Sequence, residues 1–298
     1  PAEWQPLLDL VSDVYEHADT DRALLERALD LTSQELLERN RQLTAAHARI
    51  DVDYAQLTAD LQLAQQIQRQ LIPTGAHTLQ QLHYYSSYHP ASAVGGDYFD
   101  CLTGPGGRVV LLIGDATGKG AAAAMLMAAV KSAALTVVAH QGDPAGLLRH
   151  LNTRVRSLGT QGMTLCALSL AAGTRSLQIA NAGHLYPYLL GPGAPPRLID
   201  LDSGLPLGSV GSPGYQATSR LLQPGDRLVL YTDGLVEATD AHGRMFGFER
   251  LEALLAARGA APAPELSGQL LEAVARHQGP TPPQDDITLV IVDILAAE

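Results

Sequence analysis

The chain has 298 residues, of which 46% are hydrophobic, and it carries a formal net charge of −11 at pH 7. This excess of acidic residues argues against nucleic acid as a main partner, because phosphate binding needs clustered Lys and Arg side chains. No apolar run reaches the roughly 18–20 residues of a membrane span, so the composition favours a globular protein without one.

The first 70 residues are predicted to form helix throughout. They contain no glycine, their only prolines are Pro1 and Pro6, and 13 acidic residues outnumber 6 basic ones. Ser33 and Glu35 mark a possible break. Apolar residues recur at every seventh position, at Leu29, Leu36, Leu43, Ile50, Leu57, Ala64 and Leu71. This spacing is that of the d positions of a coiled-coil heptad.

The a positions of the same repeat are mostly polar: Asn40, His47, Tyr54, Leu61 and Gln68. An Asn at an a position favours two strands at a cost in stability. We therefore predict that residues 1–68 form a weak parallel dimeric coiled coil, a linker that precedes a separate domain at 69–298. The alternative is a single amphipathic helix packed against its own domain.

From Leu82 onward the chain alternates between strand and turn patterns, with Gly, Pro, Asn or Asp at the boundaries. Strands are predicted at 109–113, 164–170, 176–180, 186–190, 227–231 and 287–292. Helices are predicted at 121–139, 144–158, 248–257 and 263–277. Strands in runs and helices in pairs indicate an α+β sandwich rather than βαβ alternation.

The turn after the first of these strands reads Asp-Ala-Thr-Gly-Lys-Gly at 115–120 and has a superficial likeness to a phosphate-binding P-loop. That motif needs a glycine where Ile113 stands and a hydroxyl residue where Gly120 stands, so the P-loop interpretation fails at both positions. What remains is Asp115, a carboxylate at the end of a buried strand, beside glycines that let a ligand approach closely.

Further acidic turns lie beside apolar strands. Asp97 precedes the strand at 109–113, Asp233 follows the strand at 227–231, and the pair Asp285 and Asp286 begins the last strand. Any one of them could be only a turn former or cap. Together they could bring four carboxylates to one end of a sheet, where burial without cations would be strongly unfavourable. Two divalent ions would balance four aspartates, and oxygen-only ligands favour magnesium or manganese over zinc.

Five segments, in this order, resemble the SpoIIE-type branch of the metal-dependent (PPM) serine/threonine phosphatases. They read GGDYFD at 95–100, DATGKG at 115–120, NAGH at 181–184, YTDGLVEA at 231–238 and QDDITLV at 284–290. The segment at 67–73 is similar to the helix end that leads into these domains, so the likeness covers roughly residues 65–295. It implies an αββα sandwich, in which two antiparallel sheets are flanked by helix pairs and a two-metal site lies at one end.

The resemblance also implies a role for each matching aspartate around two Mn²⁺ or Mg²⁺ ions. Asp115 would bridge both ions, and Ala116 would offer its backbone carbonyl. Asp97 would hold one ion, while Asp233 and Asp285 would hold the other. These residues would carry the catalysis, because coordination lowers the pKa of a bound water and supplies hydroxide near neutral pH.

Other positions in the motifs are expected to be secondary. Asp286 would be a neighbour of the site or a ligand through water, and His184 would be a structural turn residue rather than a base. Eukaryotic members of the wider family have a His where this chain has Thr117, so the source of the leaving-group proton is open. Lys119 is either an electrostatic helper or a residue at the start of the following helix.

The family implies hydrolysis of a phosphoserine or phosphothreonine on a phosphorylated anti-sigma-factor antagonist of the STAS type. We expect regulation through the helical linker and a homodimer. The alternative is a pseudo-phosphatase that serves as a signalling scaffold, and a GGDEF-type nucleotide cyclase is disfavoured because Tyr98 stands where that family needs Glu. Cys101 and Cys166 lack metal-type spacing, and residues 1–10 lack a signal-peptide pattern, so a cytoplasmic location is expected.

Overall fold

The computed structural model describes residues 5–80, 82–159 and 162–295. The chain divides into two compact units between Asp60 and Leu61. One helix, α1 (Gln5–Leu71), supplies all the described residues of the first unit and the beginning of the second. The boundary predicted between residues 68 and 69 stays a prediction.

In the first unit the helix is continuous, so the predicted break near Ser33 was wrong. Ion pairs four residues apart, such as Arg22 with Glu26 and Glu35 with Arg39, help to hold its surface in helical form. Every described side chain from residue 6 to residue 60 is exposed. The apolar d positions from Leu29 to Leu57 are between 57% and 63% exposed, so this seam has no partner within its unit.

The described residues of the second unit form two six-stranded sheets. The first has the strand order β1-β2-β12-β11-β7-β8. Its strands are β1 (Gly75–Leu79), β2 (Leu82–His89), β7 (Tyr188–Leu190), β8 (Arg197–Leu198), β11 (Arg227–Tyr231) and β12 (Ile287–Ile294). The second has the order β10-β6-β5-β4-β3, with β9 beside β6. Its strands are β3 (Tyr98–Thr103), β4 (Val109–Ala116), β5 (Met163–Leu170), β6 (Ser176–Ala182), β9 (Ser203–Gly204) and β10 (Thr218–Leu221).

Helices cover the outer face of each sheet. On the second sheet lie α2 (Ala121–Val138) and α3 (Pro144–Ser157), which contact each other and strands β3 to β6. On the first sheet lie α5 (Phe248–Arg258) and α6 (Ala263–Gln278), and α6 contacts β2 and β12. A short helix, α4 (Asp233–Val236), follows β11. This arrangement confirms the predicted αββα sandwich.

One described helix, α2, is long and apolar enough to cross a membrane by length and composition alone. Its buried side chains, which include Leu126, Met127 and Val130, belong to the same cluster as the apolar residues of β4 and β5. Packing against the sheet therefore accounts for the apolar residues on the buried face of the helix.

Candidate metal centre

The centre forms where four strand ends meet. In the second sheet Tyr98 pairs with Gly114, so the start of β3 lies beside the end of β4. In the first sheet Tyr231 pairs with Leu289, so the end of β11 lies beside the start of β12. Each antiparallel pair therefore places the acidic turn before one strand next to the acidic turn after its neighbour.

Two threonines join the sheets through Asp97. The carboxylate oxygen Oδ2 of Asp97 accepts a hydrogen bond of 2.8 Å from the hydroxyl of Thr232 and one of 2.7 Å from the hydroxyl of Thr288. All three side chains are at most 1% exposed. Since both hydroxyl groups bind Oδ2, they fix the orientation of the carboxylate and leave Oδ1 for another partner. Neither threonine was predicted to be a site residue, although each lies in one of the recognised motifs.

The adjacent aspartates of the last turn have different surroundings. Both oxygens of Asp286 accept backbone N–H groups, Oδ1 from Ala91 at 2.8 Å and Oδ2 from Gly96 at 2.7 Å. Asp286 therefore fastens the loop that carries Asp97. The side chain of Asp285 is 38% exposed, and its Oδ2 lies 3.3 Å from the ammonium of Lys119. Among the described residues Asp285 accepts one backbone amide, that of Asp286 at 3.0 Å on Oδ1, so its Oδ2 accepts no backbone amide, unlike either oxygen of Asp286.

Close backbone contacts explain the glycines of the first motif. A Cβ on Gly95 would overlap the carboxylate of Asp286, and a Cβ on Gly96 would lie 3.0 Å from the carbonyl oxygen of Ala116. The amide of Ala116 donates to the carbonyl of Gly96 at 3.3 Å. The absence of side chains thus lets the loop before Asp97 lie directly against the end of β4.

The aspartates interact with one another electrostatically. Burial, followed by the neighbouring charges of Asp233, Asp285 and Asp286, raises the pKa of Asp115 to about 7. Burial and the charge of Asp115 raise the pKa of Asp97 well above its ordinary value. The pKa of Asp233 is raised as well, by burial and then by the charges of Glu237 and Asp285.

Such a set fits divalent cations by its chemistry. It offers only oxygen donors, and the ionised forms of Asp97, Asp115 and Asp233 are disfavoured by burial and by like charges, which a cation would offset. No three Asp, Glu, His or Cys side chains among the described residues converge closely enough to hold an ion. What the strand pairing does provide is a common location for the turns that carry the aspartates.

His184 supports this neighbourhood from behind. Asn181 holds the turn, since its amide donates to the carbonyl of His184 at 2.8 Å and its oxygen accepts the amide of His184 at 2.9 Å. The ring Nδ1 lies 2.9 Å from the hydroxyl of Thr164, which in turn contacts the backbone of Asp115. Burial lowers the pKa of His184 to about 4, so the ring is neutral at physiological pH. These contacts agree with the structural role expected from the sequence.

The second aspartate of the first motif has a separate task. Asp100 accepts from the ammonium of Lys131 at 2.5 Å, and both side chains are largely buried. Because Lys131 lies on α2 and Asp100 on β3, this ion pair joins the helix to the strand that follows Asp97. Breaking a buried pair leaves an uncompensated charge, so the contact fixes how α2 packs on the sheet.

Comparison with solved structures identifies the fold class. The SiaA-PP2C domain of Pseudomonas aeruginosa superimposes with a TM-score of 0.70 at 24% identity, over 81% of this chain and 98% of that domain. The two-sheet sandwich with aspartates at one end is therefore a PP2C-type fold.

Comparison of sequences identifies the family. The model of the family described as Stage II sporulation protein E (SpoIIE) matches residues 105–295, and the chain belongs to this family. It is 24% identical to the phosphoserine phosphatase RsbU of Bacillus subtilis, over 80% of this chain and 70% of RsbU. It is 25% identical to Protein IcfG of Synechocystis over 78% of this chain, but it spans only 41% of the length of that relative.

Proposed function

We propose that this protein is a metal-dependent serine/threonine protein phosphatase that hydrolyses phosphomonoesters with a metal-activated water. The observation that carries the proposal is the set of buried and half-buried aspartates at one end of the sandwich, whose pKa values are raised by burial and by like charges. The alternative of a pseudo-phosphatase scaffold is not favoured, because every aspartate of the family motifs is present.

Asp97, Asp115, Asp233 and Asp285 would hold two Mn²⁺ or Mg²⁺ ions, with help from the carbonyl of Ala116. When bound, the ions would supply hydroxide near neutral pH and offset the charge on the phosphoryl oxygens. The protein itself orients the donors, through the two threonine hydroxyls on Asp97 and through Thr164, which contacts both His184 and the backbone of Asp115. It also supplies the negative charge that would retain the cations. By retaining them, the protein would position the phosphorus for in-line attack.

At the position where eukaryotic relatives carry a histidine, this chain has no side chain that could act as a general acid. Thr117 stands there, and a threonine hydroxyl does not donate a proton readily near neutral pH. His184 cannot replace it, because the ring is neutral and its Nδ1 already faces Thr164. We therefore propose that solvent water donates the proton to the departing alkoxide.

The proposed substrate is a phosphorylated regulatory protein, of the STAS type of anti-sigma-factor antagonist. Support comes from membership of the SpoIIE family and from the likeness to a relative named as a phosphoserine phosphatase. A cytoplasmic location would suit such a substrate, and a net charge of −11 suits a protein rather than a nucleic-acid partner.

Within the second unit, the last turns of α1 offer a route for regulation. Gln68 is 4% exposed, and its side-chain amide donates to the carbonyl of Gly95 at 2.6 Å. Its carbonyl oxygen accepts the amide of Gly95 at 3.0 Å and contacts the hydroxyl of Tyr88 at 3.2 Å. Because Gly95 belongs to the loop that carries Asp97, a change in the end of the helix would move the aspartate. We propose that the N-terminal helix regulates the site in this way.

The central test is phosphate release from a phosphorylated STAS protein with increasing Mn²⁺. We expect hydrolysis that requires the ion, saturates with it and stops on addition of EDTA. A Mn²⁺-independent rate, or no binding of Mn²⁺ by calorimetry, would overturn the proposed function. In the second case the scaffold alternative would gain support.

We also propose that the N-terminal helix forms a homodimer, and a pair of matched variants tests this. Ile50 occupies a d position and Val52 an f position, yet both are similarly exposed in the single chain, at 62% and 65%. Ile50→Asp should therefore weaken the dimer at least about tenfold, because the charge would enter the seam, while Val52→Asp should leave it intact. Light scattering over a range of protein concentrations measures the effect, and equal behaviour of the two variants would contradict the predicted seam.

A further inference from the structure

Lys119 contacts the candidate metal centre from its open side. It lies in the turn between β4 and α2, between Gly118 and Gly120, whose φ angles of 100° and 71° bend the backbone sharply. Its ammonium donates to the carbonyl of Gln284 and lies 3.3 Å from Oδ2 of Asp285. Among the ion pairs of the described residues, this is the one that involves an aspartate of the centre.

Because of this contact, the ammonium of Lys119 and a divalent ion would compete for the carboxylate of Asp285. Asp285 is a proposed metal ligand, so its carboxylate would have to release the ammonium of Lys119 in order to hold a cation. The pair itself is weak, because the side chains of Lys119 and Asp285 are 62% and 38% exposed. Lys119 would therefore release Asp285 at little cost.

The displaced ammonium would stay close to the centre and would need an anion. Asp286 is the other carboxylate that lines the cavity beside Lys119, and its two oxygens already accept backbone amides. Lys119 also lines this cavity of about 230 Å³ together with Ser92, Asp285 and Asp286, so there is room beside it for a tetrahedral anion. A phosphoryl group held at the ions would bring its oxygens within reach of the flexible side chain.

We propose that Lys119 binds the phosphoryl group of the substrate, and that Asp285 holds the lysine beside the site until a divalent cation takes the carboxylate. This inference rests on the proposed function, which it extends by naming a catalytic residue outside the aspartate set. It gives the lysine of the Gly-Lys-Gly turn a phosphate-binding role that needs no P-loop. Lys119 would then exchange the carboxylate of Asp285 for the phosphoryl group of the substrate once the cation and the substrate are both bound.

Two calorimetric titrations of the whole chain test the exchange. In the first, Mg²⁺ is added without substrate, and Lys119→Gln should bind the ion about two- to fivefold more tightly because the competing ammonium is gone. In the second, inorganic phosphate is added at saturating Mg²⁺, and the same variant should bind phosphate about tenfold more weakly. Lys119→Arg should retain phosphate binding within about threefold, because it keeps the charge.

Arg197→Gln is the matched control. It removes an exposed positive charge on β8, away from the centre, and should change neither titration. An unchanged affinity of Lys119→Gln for Mg²⁺ or for phosphate would overturn the proposal. If wild type releases phosphate and Lys119→Gln behaves like wild type, only the role of Lys119 fails. If both titrations shift as expected but wild type hydrolyses no phosphomonoester, the proposed function fails instead.

Discussion

The Asp115→Asn variant should lose at least about 10³-fold of the metal-dependent phosphatase activity, yet its metal-free form should be more stable than wild type near pH 8. Both effects have the same cause. Asp115 is the carboxylate that interacts with Asp233, Asp285 and Asp286, so its charge would bind cations when they are present and repels its neighbours when they are removed. Asparagine keeps the size of the side chain and removes the charge. Phosphate release in Mn²⁺ and thermal unfolding in EDTA measure the two effects.

The pH dependence of the stability of the metal-free protein follows from the raised pKa of Asp115. The pKa of Asp115 is about 7 in the folded chain, whereas an aspartate without these neighbours has a pKa of 3.8, so the folded state binds more protons between these values. In EDTA, stability should therefore fall as pH rises from about 4 to about 7, by at most about 4 kcal/mol from this group. The slope should be smaller in Asp115→Asn. It should not vanish, because the pKa values of Asp97 and Asp233 are raised too.

Asp202→Asn is the control for the loss of one carboxylate. Asp202 is exposed on a loop, so its replacement should leave both the activity and the pH profile unchanged. Full activity of Asp115→Asn would contradict the assignment of Asp115 to the centre. A metal-free Asp115→Asn protein that is less stable than wild type at pH 8 would contradict the electrostatic account.

The strands that were predicted from the sequence are those in which the apolar residues of the sequence are also the buried residues of the fold. β4, β11 and β12 are apolar on both faces because they lie between a second sheet and a helix layer, and all three were predicted. β2 was missed: its sequence LHYYSSYH has strand-favouring tyrosines, but the buried serines at 86 and 87 interrupt the alternation of apolar and polar residues. In the fold, the hydroxyl of Ser86 donates to the carbonyl of Pro73, so burial of a polar side chain is made possible by a partner that the local sequence does not show.

The aspartates of the candidate site could be predicted from sequence motifs, but the hydrogen bonds that connect them to other residues could not. Aspartates beside strand ends can be read from the chain, since antiparallel neighbours place such turns together. The roles of Thr232 and Thr288 cannot be read in this way, because their shared acceptor on Asp97 lies 135 and 191 positions away along the chain. Gln68 shows the same limit: it was predicted at an a position of the coiled coil, whereas it is buried against Gly95.

Gly234→Ala should disrupt the centre without touching any carboxylate. A Cβ at this position would overlap the backbone carbonyl of Asp286, and backbone cannot rotate away as a flexible side chain could. The substitution should destabilise the fold by about 2 kcal/mol or more. It should also reduce activity about 10²-fold in the protein that remains folded, because the segment at 285–286 would shift by a fraction of an ångström to an ångström.

Gly268→Ala provides the opposite result from the same chemical change. Gly268 is exposed within α6, and a Cβ there would meet no atom within 4 Å. Alanine in a helix interior is favoured over glycine by about 0.5–1 kcal/mol, so this variant should melt at a higher temperature with unchanged activity. Equal behaviour of the two variants would show that the contact between Gly234 and Asp286 does not constrain the site. A loss confined to Gly234→Ala, with Mn²⁺ affinity falling in parallel, would show that backbone proximity at this one glycine sets the position of Asp285.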